Sequence, residues 1–221
     1  MDELLKLVDP SIAERSGAVF YSGRSAFSNA SPVYLLGLNP GGDPIRQALE
    51  TVERSVAEAL RREANDWSAY VDESWNGKPA GSHGMQPRVR HMFSSLGLDP
   101  RRIPASNVVF VRSARESDLE GKKASLLAAC WPVHRAVIER LGVRTVLCLG
   151  GTAGRWTRDA LGAHELVDQF QEDNARRWIS QAHRNATGQH VLTLTHPSIA
   201  AWNVQETDPT PLVKRVLATA D

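Results

Sequence analysis

Four short apolar runs punctuate this chain, Val33–Leu38, Val108–Val111, Val143–Leu149 and Val191–Thr195. Each is bounded by turn-forming or charged residues and is too short for a helix that buries one face, so each is predicted as a buried strand. After the first run, Ile45, Leu49, Val52, Val56 and Leu60 recur at three- and four-residue steps, which predicts an amphipathic helix. Asp43 would cap that helix, with Pro44 at its first position. Further helices are expected over Val89–Leu96, ending at Gly97, over roughly 122–141, from Thr152 to Gly162, and over 210–219. Residues 74–87 are rich in Gly, Ser and Pro and read as a loop; residues 165–188 are polar, with Trp178 and Ile179 isolated, and fit neither period. Strands alternating with helices imply right-handed βαβ units. The expected fold is one α/β domain over 1–221, a three-layer α/β/α sandwich around a four-stranded, mainly parallel sheet.

Composition narrows this little. A chain of 221 residues, 42% hydrophobic and 23% charged, suits an ordinary globular domain. No apolar run approaches the ~18 residues that span a bilayer, and Met1-Asp2-Glu3 does not open a signal peptide. A cytoplasmic monomer with no membrane contact is expected. Cys130 and Cys148 are too few for a four-cysteine zinc or iron–sulfur site and are expected as buried thiols. The histidines show no metal-ligand spacing, so neither metal nor organic cofactor is expected. Net charge is +1, unlike that of strongly basic duplex binders, but it is unevenly placed. Residues 45–73 carry seven acids against four arginines, and residues 84–123 carry eight bases against four acids. A basic face suited to phosphate and a mixed solvated surface both fit that distribution.

The chemistry concentrates where the first and last runs end. Gly37-Leu38-Asn39-Pro40-Gly41 follows the first, and His196-Pro197-Ser198 follows the last. Open α/β sheets place their binding crevice at such strand ends. Alone, the first could be a tight turn capped by Asn39 and the second a strand-end histidine; as a pair on the outer members of a four-run pattern they are far more specific. Gly150-Gly151-Thr152-Ala153-Gly154 lacks dinucleotide-fingerprint spacing and reads as close strand-to-helix packing. No Gly-x-Ser-x-Gly elbow marks Ser198 as a nucleophile.

From Val33 to Trp202 the pair resembles the uracil-DNA glycosylase superfamily, closest to its single-strand-selective monofunctional and mismatch-specific branch. The resemblance implies hydrolysis of the N-glycosidic bond of a flipped uracil or related damaged base in DNA. Asn39 would position the attacking water, and His196 would donate a hydrogen bond to the base oxygen as negative charge develops there. A neutral donor aimed at that charge favours the transition state over the ground state. Gly37, Leu38, Pro40 and Gly41 would line the base site, and Pro197, Ser198, Ile199, Ala200 and Trp202 would meet DNA. The asparagine that reads the base edge maps nearest to Asn107, whose amide offers both a donor and an acceptor. If Val108–Val111 is the core strand, however, Asn107 sits at its start, and Arg112 or Ser113 would face the site.

Two departures stand out. The phenylalanine expected to stack on the base has no counterpart, since Val52 stands at that distance; Trp75, or else Trp67 or Tyr70, would take its place. Ala200 stands where a bulky wedge is usual, too small to fill the gap left by an extruded nucleotide unless Ile199 or Trp202 substitutes. Single-stranded or mismatched DNA would then be the preferred partner. Neither motif holds a lysine for lyase chemistry. The alternative is a nucleic-acid- or nucleotide-binding protein that keeps the fold without the chemistry.

Overall fold

A computed structural model describes residues 1–219. Six strands form one sheet: β1 (Val33–Gly37), β2 (Ala105–Asn107), β3 (Thr145–Leu149), β4 (Glu165–Gln171), β5 (Ile179–Arg184) and β6 (His190–Leu194). Their order is β2-β1-β3-β6-β5-β4. The β2-β1-β3-β6 portion is parallel throughout, and β5 and β4 extend it as an antiparallel hairpin. The expected four-stranded sheet is thus the parallel part of a larger one.

Alternation along the parallel strands builds the layers. Tyr34, Leu36, Val146, Cys148 and Val191 face one core, which α1 (Asp2–Leu5), α2 (Val52–Arg61), α5 (Lys123–Leu141) and α6 (Gly151–Leu161) help to fill. Val33, Leu35, Leu147, Leu149, Leu192 and Leu194 face the other, with Tyr70 of α3 (Ala69–Asp72), α4 (Gln86–Ser95) and α7 (Thr210–Leu217). Strands buried on both faces read as continuous apolar runs, which is why β1, β3 and β6 stand out in the sequence. Cys130 and Cys148 are free and buried. No described helix is long and apolar enough to cross a membrane. As the glycine run suggested, α6 lies tight on β6: a Cβ on Gly154 would stand 2.0 Å from Thr193 Oγ1.

Three expectations are corrected. The second core strand is Ala105–Asn107; Val108–Val111 is buried but lies beyond it. There Val108 and Val109 donate to the carbonyls of Gly37 and Leu38, and Ala18 donates to Phe110. The helix expected from Pro44 starts only at Val52, with Thr51 accepting from the Arg54 amide at 3.1 Å as its cap. Asp43 instead caps a turn, accepting from Ile45 and Arg46, and Ile45 and Leu49 are 85% and 80% exposed. The cause is non-local: Ser16 bridges Thr51, and Gly17 donates to the Glu50 carbonyl, holding this backbone out of the helix. Finally, residues 165–188 form the β4–β5 hairpin. Most of β4 is exposed, and an edge hairpin with so little buried surface leaves no apolar signature.

Inside the first core, Tyr34 Oη donates to His134 Nδ1 at 2.8 Å, and His134 Nε2 donates to the Val108 carbonyl at 3.2 Å. Burial lowers this imidazole to about 4. The unfolded chain therefore takes up a proton below pH 6.5 that the native ring refuses until about 4. We expect stability to be full above pH 6.5 and to fall by about 3 kcal/mol between pH 6.5 and 4 from this residue. Urea melts across that range should show the loss, and His134→Gln should flatten it; an unchanged slope in the variant would exclude His134 as its source.

Candidate functional site

The C-terminal ends of β2, β1, β3 and β6 share one edge of the sheet, and the polar turns leave from it. Asn39 lies just past β1 and His196 just past β6, with β3 between them, so their strands are about 10 Å apart. Gly37 pairs with Asn107 in the sheet. Because β2 ends at Asn107, that residue stands at the site edge; Arg112 lines the cavity beside it, and Ser113 reaches Asn39, so the structure brings all three to the site.

A cavity of about 910 Å³ opens beside β1 and β2, within the range of small-molecule sites. Asn39, Gly41 and Asn107 line it together with Tyr21, Trp67, Tyr70 and Trp75. The aromatic side chains form a wall, with ring centroids 6.3 Å apart for Tyr21–Tyr70 and 5.9 Å for Tyr70–Trp75. Arg62 lies 3.5 Å over the Trp67 ring. All three aromatics of the 67–75 segment thus reach the cavity. Gly37 is buried beneath it, and its missing side chain is spatial necessity: a Cβ there would stand 2.1 Å from Asn107 Oδ1. Burial raises the Tyr21 phenol to about 12, opposed by its hydrogen bond with the Asn107 side chain.

The orientation of Asn39 follows from its partners. Its Nδ2 donates to Ser113 Oγ at 2.9 Å and to the Pro40 carbonyl at 3.0 Å. The Ser113 hydroxyl spends its proton on the Arg115 carbonyl at 2.9 Å, so it can only accept from Asn39. A carbonyl likewise only accepts. Both contacts therefore require the amide nitrogen on that side and leave Oδ1 as an available acceptor. Arg112 secures the turn from outside, donating to the Gly41 carbonyl, to Ser16 Oγ at 3.0 Å and to Glu50 at 2.8 Å.

His196 is fixed in the same manner. The Ser198 backbone N–H donates to Nδ1 at 3.1 Å, and Ser198 Oγ lies 2.7 Å from the same atom. An amide N–H cannot accept, so Nδ1 carries the lone pair and the neutral ring holds its proton at Nε2. Burial lowers the imidazole pKa, opposed by the negative charge of Glu116. Gly150, at φ +99°, closes the turn after β3; a Cβ there would stand 3.3 Å from His196 Cδ2. His196 is not among the residues lining the cavity; it stands across Gly150 on the same edge.

The carboxy-terminal loop differs from expectation. Trp202 is fully buried, with its indole N–H donating to the Thr195 carbonyl at 3.0 Å, and Ala200 is fully buried as well. Neither can meet DNA as placed. Pro197 is buried too, its carbonyl accepting from Arg88. Ile199, 57% exposed next to the exposed Ser198, is the most exposed large apolar side chain of this loop, with Val204 also open to solvent. The sequence reading missed Tyr21, which reaches the cavity because Phe20 bridges Ser106 and the Tyr21 amide bonds the Ala105 carbonyl. Only its place at the end of the short apolar run Ala18-Val19-Phe20-Tyr21 marks it beforehand.

No curated protein matches this chain. The family model described as the uracil DNA glycosylase superfamily matches residues 25–218, a span that holds all six strands and both polar turns. With the strand-end Asn39 and His196 turns on one edge of a largely parallel sheet, that match settles the relationship: the chain belongs to the uracil DNA glycosylase superfamily.

Proposed function

We propose that the protein is a monofunctional DNA glycosylase of the single-strand-selective and mismatch-specific kind, which hydrolyses the N-glycosidic bond of uracil or a related damaged base. The observation that carries this reading is the fixed polarity of the two turns: an acceptor oxygen on Asn39 at the cavity and a neutral, Nε2-protonated His196 on the same edge.

In this mechanism the flipped base enters the cavity against the Tyr70–Trp75 wall, with Asn107 at its edge. The bond from C1′ to the base breaks with its electron pair leaving on the base. His196 Nε2–H donates to the base oxygen that gathers the negative charge, a role that needs the neutral ring. Asn39 Oδ1 accepts a hydrogen bond from water and aims its oxygen at C1′. Asparagine is no strong base, so it contributes placement to attack on a nearly formed cation. The new C1′–O bond leaves an abasic sugar, the water gives its proton to solvent, and the departing base takes one up. Among the described residues no lysine lines the cavity, which supports a monofunctional reaction without a Schiff base.

Oligonucleotides bearing one uracil, as single strand, mispair or matched duplex, test this beside free deoxyuridine. We expect base release that leaves a strand cut only by alkali, fastest on single-stranded or mispaired DNA, where less stacking must be undone. With Ala200 and Trp202 buried, the aliphatic Ile199 would have to fill a vacated stack. Strand scission without alkali, or release from deoxyuridine alone, would overturn the proposal.

Ser113 provides a finer check. Ser113→Ala removes the acceptor that selects the amide orientation, so kcat should fall about tenfold with little change in KM, and Ser113→Thr should restore it. An alanine variant with wild-type kcat would show that Asn39 needs no such guide.

A further inference from the structure

Pairing between β5 and β6 is antiparallel, and Gln181 lies opposite Thr193. The turn joining β4 to β5 therefore projects from the same sheet edge as Asn39 and His196. It is joined to the His196 loop by Arg176 Nη1, which donates to the Ile199 carbonyl at 2.7 Å, and by the Thr195 amide, which donates to Ser180 Oγ at 3.0 Å. The same guanidinium lies 4.1 Å over the Trp178 ring and bonds the buried Glu172 carboxylate at 3.1 Å. Trp178 remains 38% exposed.

An isolated exposed tryptophan needs no explanation, but this one is held in place. Glu172 pins Arg176, Arg176 covers the indole, and the pair sits beside Ile199, which is also exposed. Much of the ordering cost of a contact is thereby met before any ligand arrives. The charges cancel locally: Glu172 faces Arg176, and Asp173 faces Arg177 at 3.5 Å. A neutral turn offering a planar indole suits a stacking partner better than a lone phosphate. A nucleic-acid strand that places one nucleotide in the cavity and runs past His196 toward β5 would bring its flanking bases, which are planar groups, to this turn.

We propose that the Arg176–Trp178 turn is a single-stranded DNA-binding surface on which a base flanking the excised nucleotide stacks. This rests on the glycosylase reading for the identity of the strand, and the test separates the two. Base–aromatic stacking tolerates any base, so a labelled oligothymidylate without uracil serves as the binding probe for the full chain, and uracil release is scored independently. Trp178→Ala should weaken binding about tenfold, and Trp178→Phe by no more than about threefold. Because no cation is removed, the slope of log Kd against log salt should stay that of the wild type. Thermal melts of both variants establish that they fold.

Wild-type affinity in a folded Trp178→Ala variant would overturn the surface while leaving the glycosylase reading intact. Self-association of the wild type that disappears in Trp178→Ala would also overturn it, assigning the face to a second copy of the chain. The expected binding loss in a protein that releases no base would support the surface and refute the glycosylase.

Discussion

His196→Ala should reduce uracil release by about two to three orders of magnitude while leaving DNA affinity close to wild type. Removing one donor aimed at a developing oxyanion costs ~3 kcal/mol of transition-state stabilisation. Little of this should appear as lost ground-state binding, because the charge being met does not exist before the bond stretches. The paired Ser198 contacts hold the ring so that Nε2, not Nδ1, carries the proton. Burial lowers the imidazole pKa below 6.5, so the active neutral form dominates above that pH, and acidification should not raise the rate. Single-turnover release from a saturated oligonucleotide, with binding measured separately, decides the matter. A variant that turns over normally would remove the mechanism, and one that loses binding and rate in equal proportion would recast His196 as a DNA contact.

Gly37→Ala should be nearly as damaging, although the residue offers no functional group. The added methyl would stand 2.1 Å from Asn107 Oδ1, a separation that no real structure tolerates. The Asn107 side chain is the part able to yield, and it would leave the position from which it faces the cavity. Overpacking of this kind costs ~1–3 kcal/mol of stability. Displacing a substrate-positioning group by about 1 Å can cost on the order of 100-fold in rate. We expect a folded protein with a modestly lower melting temperature and excision reduced about 100-fold. Because the damage passes through Asn107, the double variant with Asn107→Ala should be little worse than Asn107→Ala alone. Additive losses would mean that Gly37 acts by another route.

Both experiments concern residues that the sequence singles out, and the reason is physical. Strands β1, β3 and β6 are buried on both faces, so they read as unbroken apolar runs, and the turns that follow them are found by position alone. Helices α5 and α6 end at Gly142 and Gly162, both left-handed caps visible in the sequence. What stayed hidden depends on partners distant in the chain. The apolar spacing of Ile45 and Leu49 promises a helix face, but pairing of Ser16 with Thr51 forbids it. Ala105-Ser106-Asn107 has no apolar signature and is a strand only because β1 lies beside it. Ala200 and Trp202 follow a surface motif, yet the chain turns inward after Ile199 and buries both. Ser113 is pointed to in the sequence only through a strand register that does not form, and its bond to Asn39 comes from a loop instead.

The segment from Ser16 to Ser22 has a consequence for how the molecule is made. It forms antiparallel bridges to Thr51, Ser68, Ser106 and Val111, and so joins the walls of the cavity. It leaves the ribosome before any of those partners and cannot be fully paired until Val111 has emerged. Closing such long loops is slow and gains nothing until the last contact forms. The sheet and helices can assemble while this strap is still free, which makes the cavity one of the last features of the fold to appear. Reversing that order is the least costly way to open it, so amide exchange at Gly17, Ala18 and Tyr21 should outpace that of the central strands. A chain started at residue 25, where the family match begins, would keep both polar turns and lose the strap that joins the cavity walls beside Asn39.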